Sequence, residues 1–359
     1  MRKVMVGMSG GVDSSVAALL LLEQGVQVEG VTLSLRGGKL SELTGDPGND
    51  ADALDAQRVC GALGIPHRVV DLSEVFRGSV VENFVDEYLA GRTPNPCVIC
   101  NRRIKFGAML EYALENGADA VATGHYARVA YDKAAGRWQL FRAASGKDQS
   151  YVLYGLTQHM LAHTLFPLYG MEKSEVRALA ESRHLPVAHK GDSMEVCFIP
   201  GDDHAAFLER YSGQPMTPGD FVDENGSVLG RHRGIGRYTI GQRKGLGIAL
   251  GRPMYVVAID APRNRVVLGE EGRQMRQSLT ATGLNYVSIA PPDGPLMVEA
   301  KIRYQASPAP ATLTPLDGDR IRLDFQRPQR SVTPGQAVVF YKGPMVLGGG
   351  TIENVNRME

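Results

Sequence analysis

The chain has 359 residues, 43% of them hydrophobic and 22% charged, with 39 basic side chains against 39 acidic ones. That composition excludes a fibrous or wholly disordered chain, and zero net charge argues against holding nucleic acid by bulk positive charge. At roughly 150 residues per domain, the length predicts two or three domains. Four cysteines are too few for a disulfide framework. The N-terminus MRKVMVGMSG leads straight into a strand. The apolar run from Val16 to Leu22 spans about seven residues, against the roughly 20 needed to cross a bilayer. A cytoplasmic protein with no membrane partner is expected.

In chain order, Lys3–Gly7 reads as a short apolar strand broken by Gly10 and Gly11. Residues 16–24 read as a helix, 26–33 as a strand, 52–63 as an amphipathic helix stopped by Gly64-Ile65-Pro66, and 67–71 as a strand. The polar, Gly-rich stretch 37–50 has no periodicity and reads as a loop. Residues 106–116 are helical in pattern and 119–124 extended. Alternating strands and helices with Gly-rich turns predict an α/β unit, a parallel sheet with helices on both faces. After Pro200 the pattern changes. Short strand-like runs at 255–260 and 265–269 suggest a small central domain. Alternation at 296–304, 320–325 and 336–341, with turns at Pro291-Pro292 and Asp317-Gly318, predicts a C-terminal β-barrel. The boundaries are placed at 1–207, 208–275 and 276–359.

The strongest local signal is Ser9-Gly10-Gly11-Val12-Asp13-Ser14-Ser15, between a strand and a helix. Adjacent glycines let backbone approach an anion, and helix N-terminal N–H groups with the hydroxyls of Ser9, Ser14 and Ser15 suit a pyrophosphate. No Lys-Ser/Thr pair follows, so this is not the P-loop of ATPases, nor is it GxGxxG. By charge, Asp13 is a candidate for Mg²⁺.

The cysteines need a separate reading. Cys60 ends an amphipathic helix and reads as a small core residue. Cys97 and Cys100 follow Gly91-Arg92-Thr93-Pro94-Asn95-Pro96 and precede Asn101-Arg102-Arg103-Ile104-Lys105, whose cations favour thiolate. Cys197 lies in Asp192-Ser193-Met194-Glu195-Val196-Cys197. A structural zinc site calls for two such pairs and there is one. A thioredoxin-like motif is poorly placed after a Pro-rich loop. Two readings remain: sulfur transfer by thiols beside an adenylating site, or three cysteine ligands for an iron–sulfur cluster with one open iron.

Together these strings resemble the bacterial tRNA-specific 2-thiouridylases, within the ATP pyrophosphatase superfamily. The matching segments are 7–15, 91–106, 122–128 (ATGHYAR), 147–151 (KDQSY), 192–199 and 236–247 (GRYTIGQRKGLG), in order along nearly the whole chain. The resemblance implies an adenine-nucleotide α-hydrolase-like domain, a small central domain and a β-barrel. It implies ATP contacts from Gly7, Met8, Ser9, Gly10, Gly11, Val12, Asp13, Ser14, Leu33 and Gly124. It implies that Cys100 is the nucleophile or resolving thiol and that Cys197 carries a persulfide, the two ending as a disulfide. Asn95, Pro96 and Cys97 would border the target base. His125, Lys147, Asp148, Gln149, Arg303, Tyr304 and Gln336 would touch the tRNA. Many members carry Asp at position 97. Cys97 with Cys100 and Cys197 is the pattern of an iron–sulfur-dependent form, with a [4Fe-4S] cluster.

The implied reaction is ATP-dependent 2-thiolation of the wobble uridine: adenylation at O2, then sulfur transfer at C2, with Asp192 orienting or deprotonating a group near Cys197. ATP, Mg²⁺, the tRNA anticodon stem-loop and a sulfur-donor protein are the implied partners, and DNA is not among them. The stretch Gly230–Arg252 answers the charge objection, since Arg231, Arg233, Arg237, Arg243, Lys244 and Arg252 occur there without an acid. It reads as a phosphate-contacting face that Arg320, Arg322, Arg327 and Arg330 would extend. The competing readings are another adenylating ligase or amidotransferase acting on RNA, which would need neither Cys100 nor Cys197, and a non-catalytic RNA-binding module.

Overall fold

The structure, a computed structural model, describes residues 2–44, 50–191, 196–199, 201 and 203–356. Asp192, predicted as a site residue, lies outside the described residues. The first half contributes β1 (Lys3–Gly7), β2 (Gln27–Ser34), β3 (His67–Asp71), β4 (Ala120–Ala122), β5 (Ala127–Asp132), β6 (Arg137–Arg142) and β7 (Thr164–Leu165). Five of these form an all-parallel sheet in the order β3-β2-β1-β4-β7.

Helices cover both faces, as parallel strands require. Val4 and Val6 of β1 point to one side, where they pack with Ala18 and Leu21 of α1 (Val12–Glu23) and with Ala56 and Val59 of helix Asp50–Leu63. Met5 points to the other side, against Phe106, Met109 and Leu110. This alternation is the period-2 rule of a strand buried on both faces. Cys60 is wholly buried in the first cluster, and burial pushes its thiol up to about 11. It behaves as a core hydrophobe.

Two stretches differ from the sequence reading. Residues Lys39–Thr44 are helical rather than looped. Leu40 is buried among Phe76, Phe84, Phe198 and Phe207, and that tertiary contact supplies the apolar anchor that local periodicity lacks. The helix expected at 106–116 begins earlier, as a continuous helical run from Pro96 to Glu115 whose middle, Asn101–Ala108, is π-helical. A π-helical insertion widens the turn and is common beside functional groups.

The central sheet has β8 (Gly219–Val222), β9 (Val228–His232), β10 (Tyr255–Asp260) and β11 (Arg265–Gly269), in the order β10-β11-β8-β9. The C-terminal strands are β12 (Met275–Asn285), β13 (Leu296–Lys301), β14 (Ala309–Leu316), β15 (Arg320–Arg330), β16 (Ala337–Lys342) and β17 (Met345–Asn356). They run β12-β15-β14-β13-β16-β17, and pairing of β12 with β17 closes the barrel. Leu279, Ala281, Leu313, Ile321, Leu323 and Phe340 fill it.

The hairpin β5–β6 joins the barrel rather than the parallel sheet. Met345 and Val346 of β17 pair with Phe141 and Leu140 of β6. Ser288 Oγ accepts from Leu140 N–H at 2.8 Å, and Gln158 donates to the Val287 carbonyl at 2.8 Å. The N-terminal α/β unit and the barrel thus share one β-sheet, and a shared ladder fixes their relative position far better than a linker would.

Candidate active site

In open parallel sheets, ligands bind beyond the carboxyl ends of the strands where the strand order reverses. Here that point lies between β1 and β4. The loop Ser9–Gly11 leaves β1 there, and Thr123-Gly124 leaves β4. Gly10 adopts φ +68°, and a Cβ on it would come within 2.5 Å of the Asp52 carbonyl oxygen. Gly124 is pressed against the same loop: a Cβ there would lie 2.6 Å from the Asp13 carbonyl carbon and 2.7 Å from the Ser14 nitrogen. Ser14 Oγ accepts from Ser9 N–H at 3.2 Å and donates to the Gly11 carbonyl at 3.1 Å. Ser15 Oγ donates to the same carbonyl at 2.9 Å. The hydroxyls thus brace the turn. With Leu33 at the end of β2, the predicted nucleotide residues gather on one rim.

The Asp13 carboxylate is enclosed by donors. Tyr126 Oη donates to Oδ1 at 2.8 Å, Lys173 Nζ approaches Oδ1 at 2.7 Å, and Lys147 Nζ approaches Oδ2 at 3.3 Å. Two lysines occupy the Asp13 carboxylate, so a Mg²⁺ ion would reach it only once they turn away. Lys173 and Tyr126 were missed as site residues. The available signal for Lys173 was its place as the first residue of a helix with a Glu172/Glu175 capping box.

The cysteines come together from two segments. Asn95 caps helix Pro96–Cys100 by accepting from Val98 N–H, with Pro96 in the first turn. Cys97 faces solvent on the first turn, and Cys100 is buried at the helix end. The Cys197 segment is anchored beside it by Phe198, which packs in the same cluster as Cys100 and meets the Phe84 ring edge-on at 5.3 Å. Cys197 itself reaches solvent. Burial, together with the neighbouring Cys197 and Cys97, pushes the Cys100 thiol up to about 12, with Lys105 opposing. The cations after Cys100 therefore do not give a free thiolate, because desolvation outweighs them. Although part of Cys197 reaches solvent, the atoms packed around its sulfur and the neighbouring Cys97 raise its thiol, against Lys105 and Arg36. Among the described residues, no three His, Cys, Asp or Glu side chains are gathered to hold a metal. The three thiols as placed do not fit a cluster.

The predicted RNA-contacting residues divide. Arg303 and Tyr304 are exposed. The Tyr304 ring lies 6.1 Å from that of Tyr151 and 5.9 Å from Lys301 Nζ. Asp148 and Gln149 hold their own loop: Asp148 accepts from Ala143 N–H and Ser150 N–H, and Gln149 from Tyr126 N–H at 3.0 Å. Gln336 donates to the carbonyls of Thr93 and Pro94 at 3.1 and 2.9 Å, and Thr93 N–H donates to Pro334. It clamps the barrel onto the loop that carries Asn95 to Cys97. For Gln336→Ala we expect the turnover rate to fall about tenfold, the worth of one or two freed hydrogen bonds in buried surroundings, with KM for tRNA unchanged. Steady-state kinetics separates this from a direct contact, which would raise that KM and leave kcat alone.

His125 is buried between Phe106 and Phe166, with Nδ1 2.8 Å from Thr123 Oγ1. Burial holds its pKa well below 6.5, and burial lowers His67 and His232 as well. These rings fold neutral, so their contribution is complete above the unfolded value near 6.5 and is lost as pH falls toward the folded values. The lowered carboxylates Glu29 and Asp55 start from 4.5 and 3.8 and act only in more acid solution. Thermal unfolding is therefore expected to shift to lower temperature between pH 7 and 5.5, with the His232→Asn variant showing a smaller shift.

The basic stretch is partly neutralised. Arg231 pairs with Asp220, Arg237 with Glu209 and Arg252 with Glu270. Arg320, Arg322 and Arg330 pair with Glu353, Asp324 and Glu271. Arg233, Arg243, Lys244 and Arg327 are exposed and in no ion pair among the described residues. The surface available to phosphate is narrower than the charge count implied.

Comparison with known proteins bears on this geometry. Residues 2–201 match the family profile described as the tRNA methyl transferase HUP domain, residues 205–270 its PRC-barrel domain, and residues 276–352 the aminomethyltransferase beta-barrel domain. The tRNA-specific 2-thiouridylase MnmA of Acetivibrio thermocellus is 50% identical over 98% of this chain and 99% of its own. That of Heliobacterium modesticaldum is 51% identical over 97% of this chain and 92% of its own. This chain belongs to the tRNA-specific 2-thiouridylase family. The methyl transferase wording of the domain profiles does not alter that, since the relatives that match nearly the whole chain at 50–51% identity are 2-thiouridylases. Among solved structures, NMN synthetase from Francisella tularensis aligns with a TM-score of 0.36 at 17% identity, over 60% of this chain and 79% of that one. It is too distant to inform the thiouridylase site. No helix among the described residues is long and apolar enough to cross a membrane.

Proposed function

We propose that this thiouridylase carries out ATP-dependent 2-thiolation of the tRNA wobble uridine with Cys197 as sulfur carrier and Cys100 as resolving thiol. The observation that supports this most directly is the meeting of two chain segments, 96–100 and 196–199, in one apolar cluster beside the nucleotide rim. ATP and Mg²⁺ use goes with the family.

The target uridine leaves the anticodon stack at a cost of a few kcal/mol. Its O2 attacks the α-phosphorus of ATP. The bond from that phosphorus to the bridging oxygen breaks, pyrophosphate leaves with the electron pair, and the N3 proton passes to solvent. Adenylation is needed because a carbonyl oxygen is a poor leaving group. A sulfur-donor protein loads Cys197 as a persulfide. The terminal sulfur reaches C2, AMP departs, and Cys100 closes a disulfide with Cys197. The two thiols thereby supply the two electrons that turn sulfane sulfur into thiocarbonyl sulfur. An external dithiol then reduces the disulfide.

Arg303 and Tyr304 are read as contacts to the anticodon loop, with Tyr304 free to stack on a base. The cluster-dependent scheme rests on Cys97 standing near Cys100 and Cys197, and it requires Cys100 to move out of the core. Purified protein with tRNA, ATP and a persulfide donor tests the function: 2-thiouridine and pyrophosphate form in equal amounts. Iron and sulfide assays of anaerobically prepared protein test the cluster form. Thiolation by iron-free protein removes it.

A further inference from the structure

The clearest group of charges that the reaction above does not use is the one around Asp13. Its carboxylate belongs to the first turn of α1, within the pyrophosphate loop, and two lysines from distant segments meet it there. Lys173 begins helix Lys173–Ser182, whose capping box holds Glu172 N–H to the Glu175 carboxylate at 2.7 Å. That helix packs on α1 through Val176 and Ala180 against Val16 and Ala17. Lys173 is thus carried on a rigid support at fixed distance from the loop. Lys147 lies over the Tyr126 ring, 5.3 Å from its centroid, and its loop is fixed by Asp148 and Gln149.

Resting on the adenylation reading, we propose that Lys173 is a catalytic residue that contacts the β- and γ-phosphates and stabilises pyrophosphate as it leaves, with Lys147 beside it and Asp13 as the positioning residue. The chemistry asks for cations at this place. As the bond to the bridging oxygen breaks, negative charge builds on the departing pyrophosphate, at the end of the loop where Asp13 stands. A carboxylate that holds two ammonium groups before the nucleotide arrives keeps them oriented without burying unpaired charge. Arriving phosphates compete for the ammonium protons, and the lysines need only turn from Oδ1 and Oδ2 to phosphate oxygens. Lys147, read from sequence as an RNA contact, is assigned here to the nucleotide.

The full chain tests this with tRNA, ATP and a persulfide donor, reading pyrophosphate release, the KM for ATP and tRNA binding separately. Loss of a donor preorganised for transition-state charge lowers kcat by about 10²–10³-fold. Lys173→Ala is expected to lose that much in pyrophosphate release while its tRNA affinity stays within twofold of the parent. Lys173→Arg is expected to recover part of the rate, and inorganic pyrophosphate should inhibit Lys173→Ala more weakly. Asp13→Asn should raise the KM for ATP with a smaller loss of kcat. Lys173→Met, matched in length, controls for folding through its thermal midpoint. Pyrophosphate release by Lys173→Ala at the parental rate overturns the assignment, as does a defect confined to tRNA binding. Absence of pyrophosphate release from the parent protein would instead overturn the adenylation reading.

Discussion

Replacing Cys197 by serine is expected to stop tRNA thiolation while leaving adenylation running. A serine oxygen cannot carry sulfane sulfur, so the loss is that of a nucleophile, at least about 10³-fold. The substitution is nearly isosteric and Cys197 is solvent-exposed, so the fold has no reason to change. The pyrophosphate loop is built by β1, α1 and β4, whose core residues pack in other clusters than the one that holds Phe198 and Ile199 beside Cys197. Pyrophosphate release should therefore stay within a few-fold of the parent. Cys100→Ser separates the two thiols: Cys197 should still accept a persulfide from the donor, detected as a 32-dalton mass gain, the mass of one sulfur atom, while multiple turnover fails. Nucleoside mass spectrometry after digestion reads the product. Normal 2-thiouridine formation by Cys197→Ser would defeat the thiol scheme and favour an enzyme that uses free sulfide directly.

The second large effect is expected at a residue with no side chain. Gly124→Ala would place a methyl group 2.6 Å from the Asp13 carbonyl carbon and 2.8 Å from Asp13 Cβ. Both neighbours belong to the fixed start of α1, and neither is a flexible side-chain tip, so the loop itself must give. Overpacking of this kind costs about 1–3 kcal/mol in stability. The catalytic cost should be larger, because displacing a phosphate cradle by a fraction of an ångström misaligns attack, and a shift near 1 Å is worth about 10²-fold. The expected result is a modest fall in the unfolding midpoint with a loss of about 10²-fold in kcat/KM for ATP. Gly61→Ala, at an exposed helical glycine with open space around it, should leave catalysis unchanged and raise the midpoint slightly, since Ala is favoured over Gly in a helix by about 0.5–1 kcal/mol.

Much of the fold was readable along the chain, for reasons visible in particular residues. The strand Lys3–Gly7 and the strand His67–Asp71 appear with the limits read from sequence, because short apolar runs ended by Gly and Ser/Asp leave few alternatives. The helix Lys39–Thr44 was not readable, because its anchor, Leu40, finds its partners on helices more than thirty residues away. The pairing of β6 with β17 was equally hidden: both strands alternate normally, and nothing in either names the other.

The site shows the same division. Gly10, Gly11, Asp13 and the serines were identifiable from seven consecutive residues, since an anion cradle is a local structure. Lys173 lies 160 positions from Asp13 and its role appears only when helix and loop are seen together. Cys100 and Cys197 were identifiable as reactive types. The burial that pushes Cys100 up to about 12 was not, because desolvation depends on everything packed around a thiol rather than on its neighbours in the chain.

The sequence by itself determined the class of chemistry, through residue types at short fixed spacing: a phosphate-binding turn and three separate thiols. Tertiary structure alone decided which charges meet, which thiol is shielded, and that Gln336 of the barrel holds the Cys97 loop. Those facts depend on distances between segments far apart in the chain. Such distances are set by the sheet, the barrel closure and the shared β6–β17 ladder together, and by no stretch of residues taken alone.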